Sequence, residues 1–151
     1  MSLTQLAFYS VPAPHVRDEH VADLVAQTRE RNSAHGVTGF LMQREDLFLQ
    51  VLEGERRVLS RHLETLFMDD RHSNIVVLGW RDIDVRTFPE WDLGYINADE
   101  LTHDERMLDK RSRSKHVVRL NVDQAVDLLE RLSALVPGPV VRPATPTRLA
   151  A

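Results

Sequence analysis

The hydrophobic positions change period along the chain. Residues 3–10, LTQLAFYS, alternate loosely in the two-residue repeat of a strand and stop before Val11-Pro12-Ala13-Pro14, whose prolines cannot extend a paired strand. From Val16 to Ala34 the spacing becomes three and four, through Val21, Ala22, Leu24, Val25 and Thr28, with Asp18 and Glu19 near its start and Gly36 just beyond its end. That pattern predicts an amphipathic helix closed by a glycine. Two β-rich runs follow, residues 37–43 and 47–53, and the short link Arg44-Glu45-Asp46 predicts that they pair antiparallel. Glu55 to Met68 returns to helical spacing with Val58, Leu59, Leu63, Leu66 and Phe67 and ends at Asp69-Asp70-Arg71-His72. Residues 74–83 read as a fourth strand and 91–96 as a fifth.

The order β-α-β-β-α-β predicts an α+β fold: a ferredoxin-like sheet with two helices on one face. The other face then needs cover. Residues 99–112 and 121–135 are expected to be C-terminal helices that supply it or make a dimer contact. The second starts at Asn121 as N-cap and carries Val122, Val126, Leu129 and Leu132 on one stripe. Three regions result: a sheet domain over 3–97, a helical extension over 98–136 and a Pro-rich, aperiodic tail over 137–151 that is expected to be flexible.

Composition acts mainly by exclusion. A chain of 151 residues, 42% hydrophobic and 28% charged, suits one compact domain and leaves no room for a second. No apolar run long enough to cross a membrane and no signal-peptide pattern lead to an expected cytoplasmic location. The absence of cysteine excludes disulfides, thiolate catalysis, Cys-ligated zinc and iron–sulfur clusters. The seven histidines fall in no metal-ligand spacing. A net charge of −4 gives no basic field for nucleic acid or an anionic membrane, and the basic cluster from Arg106 to Arg119 is interleaved with acids as on a solvated helix face. No Gly-x-Gly-x-x-Gly marks a Rossmann dinucleotide site.

Several residues carry candidate chemistry, each with an ordinary structural alternative. Gln50 stands inside the apolar strand Phe48-Leu49-Gln50-Val51-Leu52, where its carboxamide must pair with something, unless it faces solvent or a neighbouring loop. Asn32 near a helix end is a turn former or a ligand contact. Asp69 and His72 form either a hydrogen-bonded turn or an acid–base pair. Leu24, Thr28, Leu41, Phe48 and Leu66 fit a ligand wall and an ordinary core equally. Trp91 is core filler or a mobile aromatic.

Four strings, Asn32-Ser33-Ala34-His35-Gly36-Val37-Thr38-Gly39, Phe48-Leu49-Gln50-Val51-Leu52-Glu53-Gly54-Glu55, Asp69-Asp70-Arg71-His72 and Arg86-Thr87-Phe88-Pro89-Glu90-Trp91, occur in the order and spacing of the BLUF family of blue-light sensors that bind FAD. The chain resembles a short, stand-alone member of that family over residues 3–97. The resemblance implies a flavin ring between the two long helices over one sheet face, with Asn32 and Gln50 bonded to its polar edge. It implies Leu24, Thr28, Leu41, Phe48 and Leu66 as the apolar wall, Asp69, Arg71 and His72 near the ribityl chain and dimethyl end, and Gln50, Trp91 and Leu93 as the signalling residues. A carboxamide carries both donor and acceptor, so Gln50 can re-pair after rotating or tautomerising.

The departures are as informative. Phe8, two residues before Ser10, stands where the family has its photoactive tyrosine, which in the usual mechanism gives an electron and a proton toward the excited flavin. The neighbouring Tyr9 is expected to point to the opposite sheet face. Arg31 replaces a frequent Asn or His and is a candidate phosphate-side charge, Thr65 replaces a frequent basic residue at the cofactor's outer edge, and Leu93 replaces a methionine. The expected function is therefore a blue-light sensory FAD-binding protein, not an enzyme, that signals through a protein effector or a homo-oligomer, with photochemistry altered or lost at Phe8. No nucleic acid, membrane or metal partner is expected. The alternative is a degenerate, cofactor-free BLUF-like module for protein interaction or oligomerisation. A small enzyme using Asp69 and His72 ranks last, because no nucleophile accompanies them.

Overall fold

The computed structural model describes residues 2–102 and 113–138. Its strands are β1 (Leu3–Pro12), β2 (Thr38–Arg44), β3 (Leu47–Glu55), β4 (His72–Ile83) and β5 (Gly94–Asn97). Helix α1 (Asp18–His35) joins β1 to β2 and α2 (Arg56–Phe67) joins β3 to β4; a short α3 (Ser114–Val117) and α4 (Val122–Ser133) follow the sheet. The sheet order is β4-β1-β3-β2-β5, with β1 antiparallel to β3 and β4, β2 antiparallel to β3, and β5 parallel to β2. This is the α+β, ferredoxin-like arrangement read from the periodicities, with one strand added at an edge.

Boundaries shift where backbone partners dictate. β1 runs on through Pro12, opposite His72, beyond the point where its prolines were expected to end it. A proline at the last position of a strand forfeits one N–H and keeps its carbonyl. α1 starts at Asp18 and ends on Gly36, whose φ of 67° lets its N–H turn back to the Asn32 carbonyl. β4 starts at His72 and is irregular, with register shifts beside Phe8 and Tyr9 and Asn74 at φ 48°. The fifth strand was expected from Trp91 but begins at Gly94. A 3-10 turn, Ala98–Glu100, stands where the expected 99–112 helix would begin. Residues 103–112 and 139–151 of the expected helix and tail lie outside the described residues.

Strict alternation divides the sheet into two faces. The near face buries Leu6, Phe8, Leu41, Phe48 and Leu52 against Val21, Leu24 and Val25 of α1 and Leu59 and Leu66 of α2. The far face buries Ala7, Phe40, Met42, Leu49 and Val51 against Ala125, Val126, Leu128, Leu129 and Leu132 of α4, with Tyr9 packed beside them. The C-terminal helix therefore covers the far face, each buried leucine contributing about 1.5–3 kcal/mol. Its start is fixed by a reciprocal cap: Asn121 Oδ1 accepts from Gln124 N at 2.8 Å, and Gln124 Oε1 accepts from Asn121 N at 3.0 Å. Arg81 of β4 pairs with Asp123 in its first turn. No helix among the described residues is long and apolar enough to cross a membrane.

One buried carboxylate ties the sheet to the loop before β5. Glu53 is fully buried and accepts from Gln5 Nε2 at 2.9 Å, from the Thr87 and Phe88 amides at 2.7 Å each, and from Thr38 Oγ1 at 3.3 Å. Removing it strands two backbone amides and a carboxamide away from water. Glu53→Ala is expected to cost about 3 kcal/mol in urea denaturation, with Glu53→Gln costing less because it keeps an acceptor.

Candidate functional site

The near face is organised by strand register. In β1 and β3, Phe8 lies opposite Gln50, and in β2 and β3, Leu41 lies opposite the same Gln50. Phe8, Gln50 and Leu41 therefore form one row across three strands, flanked by Phe48 two residues along β3. Tyr9 packs with the far-face cluster, as its parity required, so the near face carries no phenol from β1. Phe48 meets the His72 ring edge-on with centroids 5.6 Å apart, and Ser10 Oγ lies 3.0 Å from His72 Nδ1.

Helices α1 and α2 roof this row. α1 turns Leu24, Thr28 and Asn32 inward, and α2 turns Leu59, His62 and Leu66 inward. Buried polar atoms without partners gather here. The Gln50 side chain, 5% exposed, makes no hydrogen bond among the described residues. Asn32 donates through Nδ2 to the Asp92 carbonyl at 2.6 Å, and its Oδ1 is buried with no partner. Arg31 Nε, His62 Nδ1 and His72 Nε2 are likewise buried and unpartnered. Burying a polar group unpaired costs a few kcal/mol, so a folded protein keeps such a set only for a reason.

Charged groups gather where the turn after α2 meets α1. Arg71 grips the Asp69 carboxylate with its guanidinium and backbone N–H and reaches Gln27 of α1 at 2.9 Å. That grip holds the Asp69 carboxyl down at about 2 and raises Arg71. Burial lowers His72. Burial, then the neighbouring Arg31 and His35, holds His62 down at about 4. Burial also lowers Arg31 from its ordinary value, against the pull of Asp69. His62 Nε2 lies 3.2 Å from His35 Nδ1, joining α2 to the last turn of α1.

The segment before β5 is held by three successive carbonyls. Trp91 O accepts from Gly39 N at 2.9 Å, Asp92 O from Asn32, and Leu93 O from Arg29 Nε at 2.7 Å. Two of the three carbonyls go to side chains of α1, and ladder pairing with β2 starts at Gly94. Trp91 sits edge-on to Phe40 at 5.4 Å, beside the far-face cluster, whereas Leu93 is buried in the near-face cluster. A separate cavity of about 670 Å³ opens at the N-terminal end of α1, lined by Arg17 and by carboxylates that include Asp18, Glu45, Asp46 and Asp99. Neither Gln50 nor Asn32 lines it.

Donors and acceptors on a buried apolar floor, with a cation at one end, suit a planar heteroaromatic ligand with a polar edge and a charged tail. Over residues 3–94 the sequence matches the family described as sensors of blue light using FAD, BLUF. The chain belongs to the BLUF family.

A BLUF-containing length of chain recurs in larger proteins. The photoactivated adenylate cyclase subunit alpha of Euglena gracilis is 31% identical over 84 residues, a match that takes in 56% of this chain and 8% of that protein. The structure of a bacterial light-regulated adenylyl cyclase aligns at a TM-score of 0.69 and 26% identity, over 85% of this chain and 40% of that one. The ground state of BlsA aligns at a TM-score of 0.75 and 23% identity over 99% of both chains, which shows the shared fold.

Against this BLUF frame, the structure brings Phe8, Leu24, Thr28, Asn32, Leu41, Phe48, Gln50 and Leu66 together as buried residues on the near face or the helices over it. Asp69, Arg71 and His72 lie at its edge. Arg31 is half-buried beside Asp69 and Arg71. Thr65 is not brought in: it lies on the exposed side of α2 with its hydroxyl on the Arg61 carbonyl at 3.1 Å. His62 belongs to the buried set and was not foreseen; its signal in the sequence is a position one turn from Leu59 and Leu66.

His62 and Asp69 set the acid response. His62 titrates near 6.5 when unfolded and near 4 when folded, so as pH falls through that window the unfolded state takes up a proton the native state refuses. Stability therefore falls with pH across it, and Asp69 withdraws a further contribution as pH drops from 3.8 toward about 2. Thermal melts of the flavin-free protein should show this decline, with His62→Leu flattening its upper part and Asp69→Asn its lower part.

Proposed function

We propose that this chain is an FAD-binding, cytoplasmic blue-light sensor that signals through a protein partner, and that Phe8 alters or abolishes the family's usual photochemistry. The observation that carries the reading is the pair of buried carboxamides, Gln50 without a side-chain partner and Asn32 with an idle Oδ1. FAD, when bound, supplies the blue-absorbing chromophore. Asn32 and Gln50 offer acceptors and donors for the heteroatom edge of its ring, Leu24, Thr28, Leu41, Phe48 and Leu66 cover its faces, and Arg31 offers charge toward the phosphates. Arg71 cannot do so freely, being engaged by Asp69 and Gln27. Phe8, in line with Gln50, has no hydroxyl to relay a proton or to donate an electron through.

The output route starts at Asn32. The same side chain that faces the cleft holds the Asp92 carbonyl, and the residues on either side, Trp91 and Leu93, pack on opposite faces of the sheet. A changed hydrogen bond at the near face thus bears on the surface that α4 covers, where an effector would read it. An acid–base role for Asp69 and His72 is disfavoured by the Arg71 grip on Asp69, which occupies both carboxylate oxygens.

The test is an absorption spectrum of the purified protein with FAD, before and after blue light. A flavin band without a reversible red shift is expected, and Phe8→Tyr should restore the shift. Protein that stays colourless with added FAD yet folds and self-associates would instead make it a cofactor-free interaction module. A full shift in the wild-type protein would overturn the role given to Phe8.

A further inference from the structure

Resting on the flavin reading, we propose that His62, oriented by His35, is a further hydrogen-bonding contact to the imide edge of the ring, alongside Asn32 and Gln50. His62 is 3% exposed and lies on the stripe of α2 that also carries Leu59 and Leu66, a place an apolar residue would fill at lower cost. One ring nitrogen, Nε2, is 3.2 Å from His35 Nδ1, with the rings edge to face at 5.4 Å and 66°. The other, Nδ1, is buried and has no partner among the described residues. The ring's contact with His35 and the nearby Arg31 set it against the last turn of α1, the turn that also carries two other idle atoms, Asn32 Oδ1 and Arg31 Nε.

The chemistry of an imide decides the roles. Its edge reads carbonyl, N–H, carbonyl, so its complement is donor, acceptor, donor. Asn32 holds the Asp92 carbonyl with one of its two Nδ2 protons, and its unpartnered Oδ1 is an acceptor that suits the imide N–H. A donor is then wanted beside it for a carbonyl. His62 becomes that donor when His35 Nδ1–H donates a hydrogen bond to His62 Nε2, which places the single proton of the neutral His62 ring on Nδ1. His35 is thus a positioning residue that selects the tautomer. A metal bridge between the two histidines fits less well, because the charged neighbour felt by His62 is Arg31 and no group of three or more metal-binding side chains forms among the described residues.

Flavin-free protein is titrated with FAD by fluorescence quenching for wild type, His62→Leu and His62→Gln, and the flavin-free melting temperature of each is measured. His62→Leu is expected to weaken FAD binding about tenfold while leaving the flavin-free melting temperature equal to or above wild type, since it removes a buried unpaired nitrogen. His62→Gln, which keeps a donor, should stay within about threefold of wild-type affinity. In ¹⁵N spectra the His62 ring should settle as the Nδ1–H tautomer when FAD binds. Wild-type affinity in His62→Leu would overturn this proposal alone. So would a fall in its melting temperature that accompanies weaker binding, which would mark His62 as a helix tie. Wild-type protein that takes up no FAD would overturn the flavin reading, and this proposal with it.

Discussion

The site depends on the register of β1 against β3. That register sets Phe8 across from Gln50 and turns Tyr9 to the far face; a slip of one residue would exchange them and put Leu49 or Val51 where the carboxamide stands. The lock is three residues away. Gln5 is the direct partner of Glu53, and their side chains meet at 2.9 Å, fully buried. A slipped pairing would bury a carboxylate against an apolar neighbour and leave the Thr87 and Phe88 amides without their acceptor. Burial of the two faces adds to this, since both are covered and neither tolerates the other's residues.

The two faces solve different problems. The far face is a conventional apolar layer in which β-strand side chains and α4 exclude water, and its cost is mainly conformational entropy. On the near face the same fold keeps Gln50, Asn32 and His62 buried with unspent hydrogen-bonding capacity, each a penalty that an alanine or leucine would remove. The apolar residues around them, Phe8, Leu41 and Phe48 among them, supply the stability that lets the polar set stay. Stability is thus drawn from the α4 side and from the floor of the cleft, and it is spent where a ligand would repay it.

Much of this was legible in the sequence, for physical reasons. The alternation of two- and 3.6-residue periods survives in every major element because each element has one buried side, and the β-α-β-β-α-β order then leaves few ways to close the sheet. Gln50 stood out because glutamine inside an apolar strand contradicts its surroundings. Glu53 did not, because a glutamate near a strand end usually faces water; here the 84–90 loop folds over it. His62 was hidden because its burial depends on how closely α1 approaches α2, which no local pattern encodes. The start of β5 was misplaced because Trp91, Asp92 and Leu93 look like a strand and have their carbonyls taken by α1 and β2. Thr65 was drawn in by its family position, yet it is exposed and its hydroxyl turns back to the Arg61 carbonyl.

The carbonyl-trapped segment explains how so small a site can reach across a sheet. A sheet is stiff in its own plane, and a change in one side chain on the near face has little leverage on the far one through the strands themselves. Residues 91–93 lie at the β2 edge and are not yet part of the ladder, so their carbonyls are held by side chains and a single amide, which exchange partners more cheaply than a ladder does. Asn32 holds the middle one. Its two polar atoms are chemically linked, and any ligand that rotates the carboxamide to use Oδ1 differently must disturb the bond from Nδ2 to Asp92. Gly94 makes the adjoining contact tight, since a Cβ there would meet the Phe40 ring at 2.2 Å and Trp91 at 2.9 Å. Trp91 therefore cannot shift independently of Phe40, and Phe40 is part of the layer on which α4 rests.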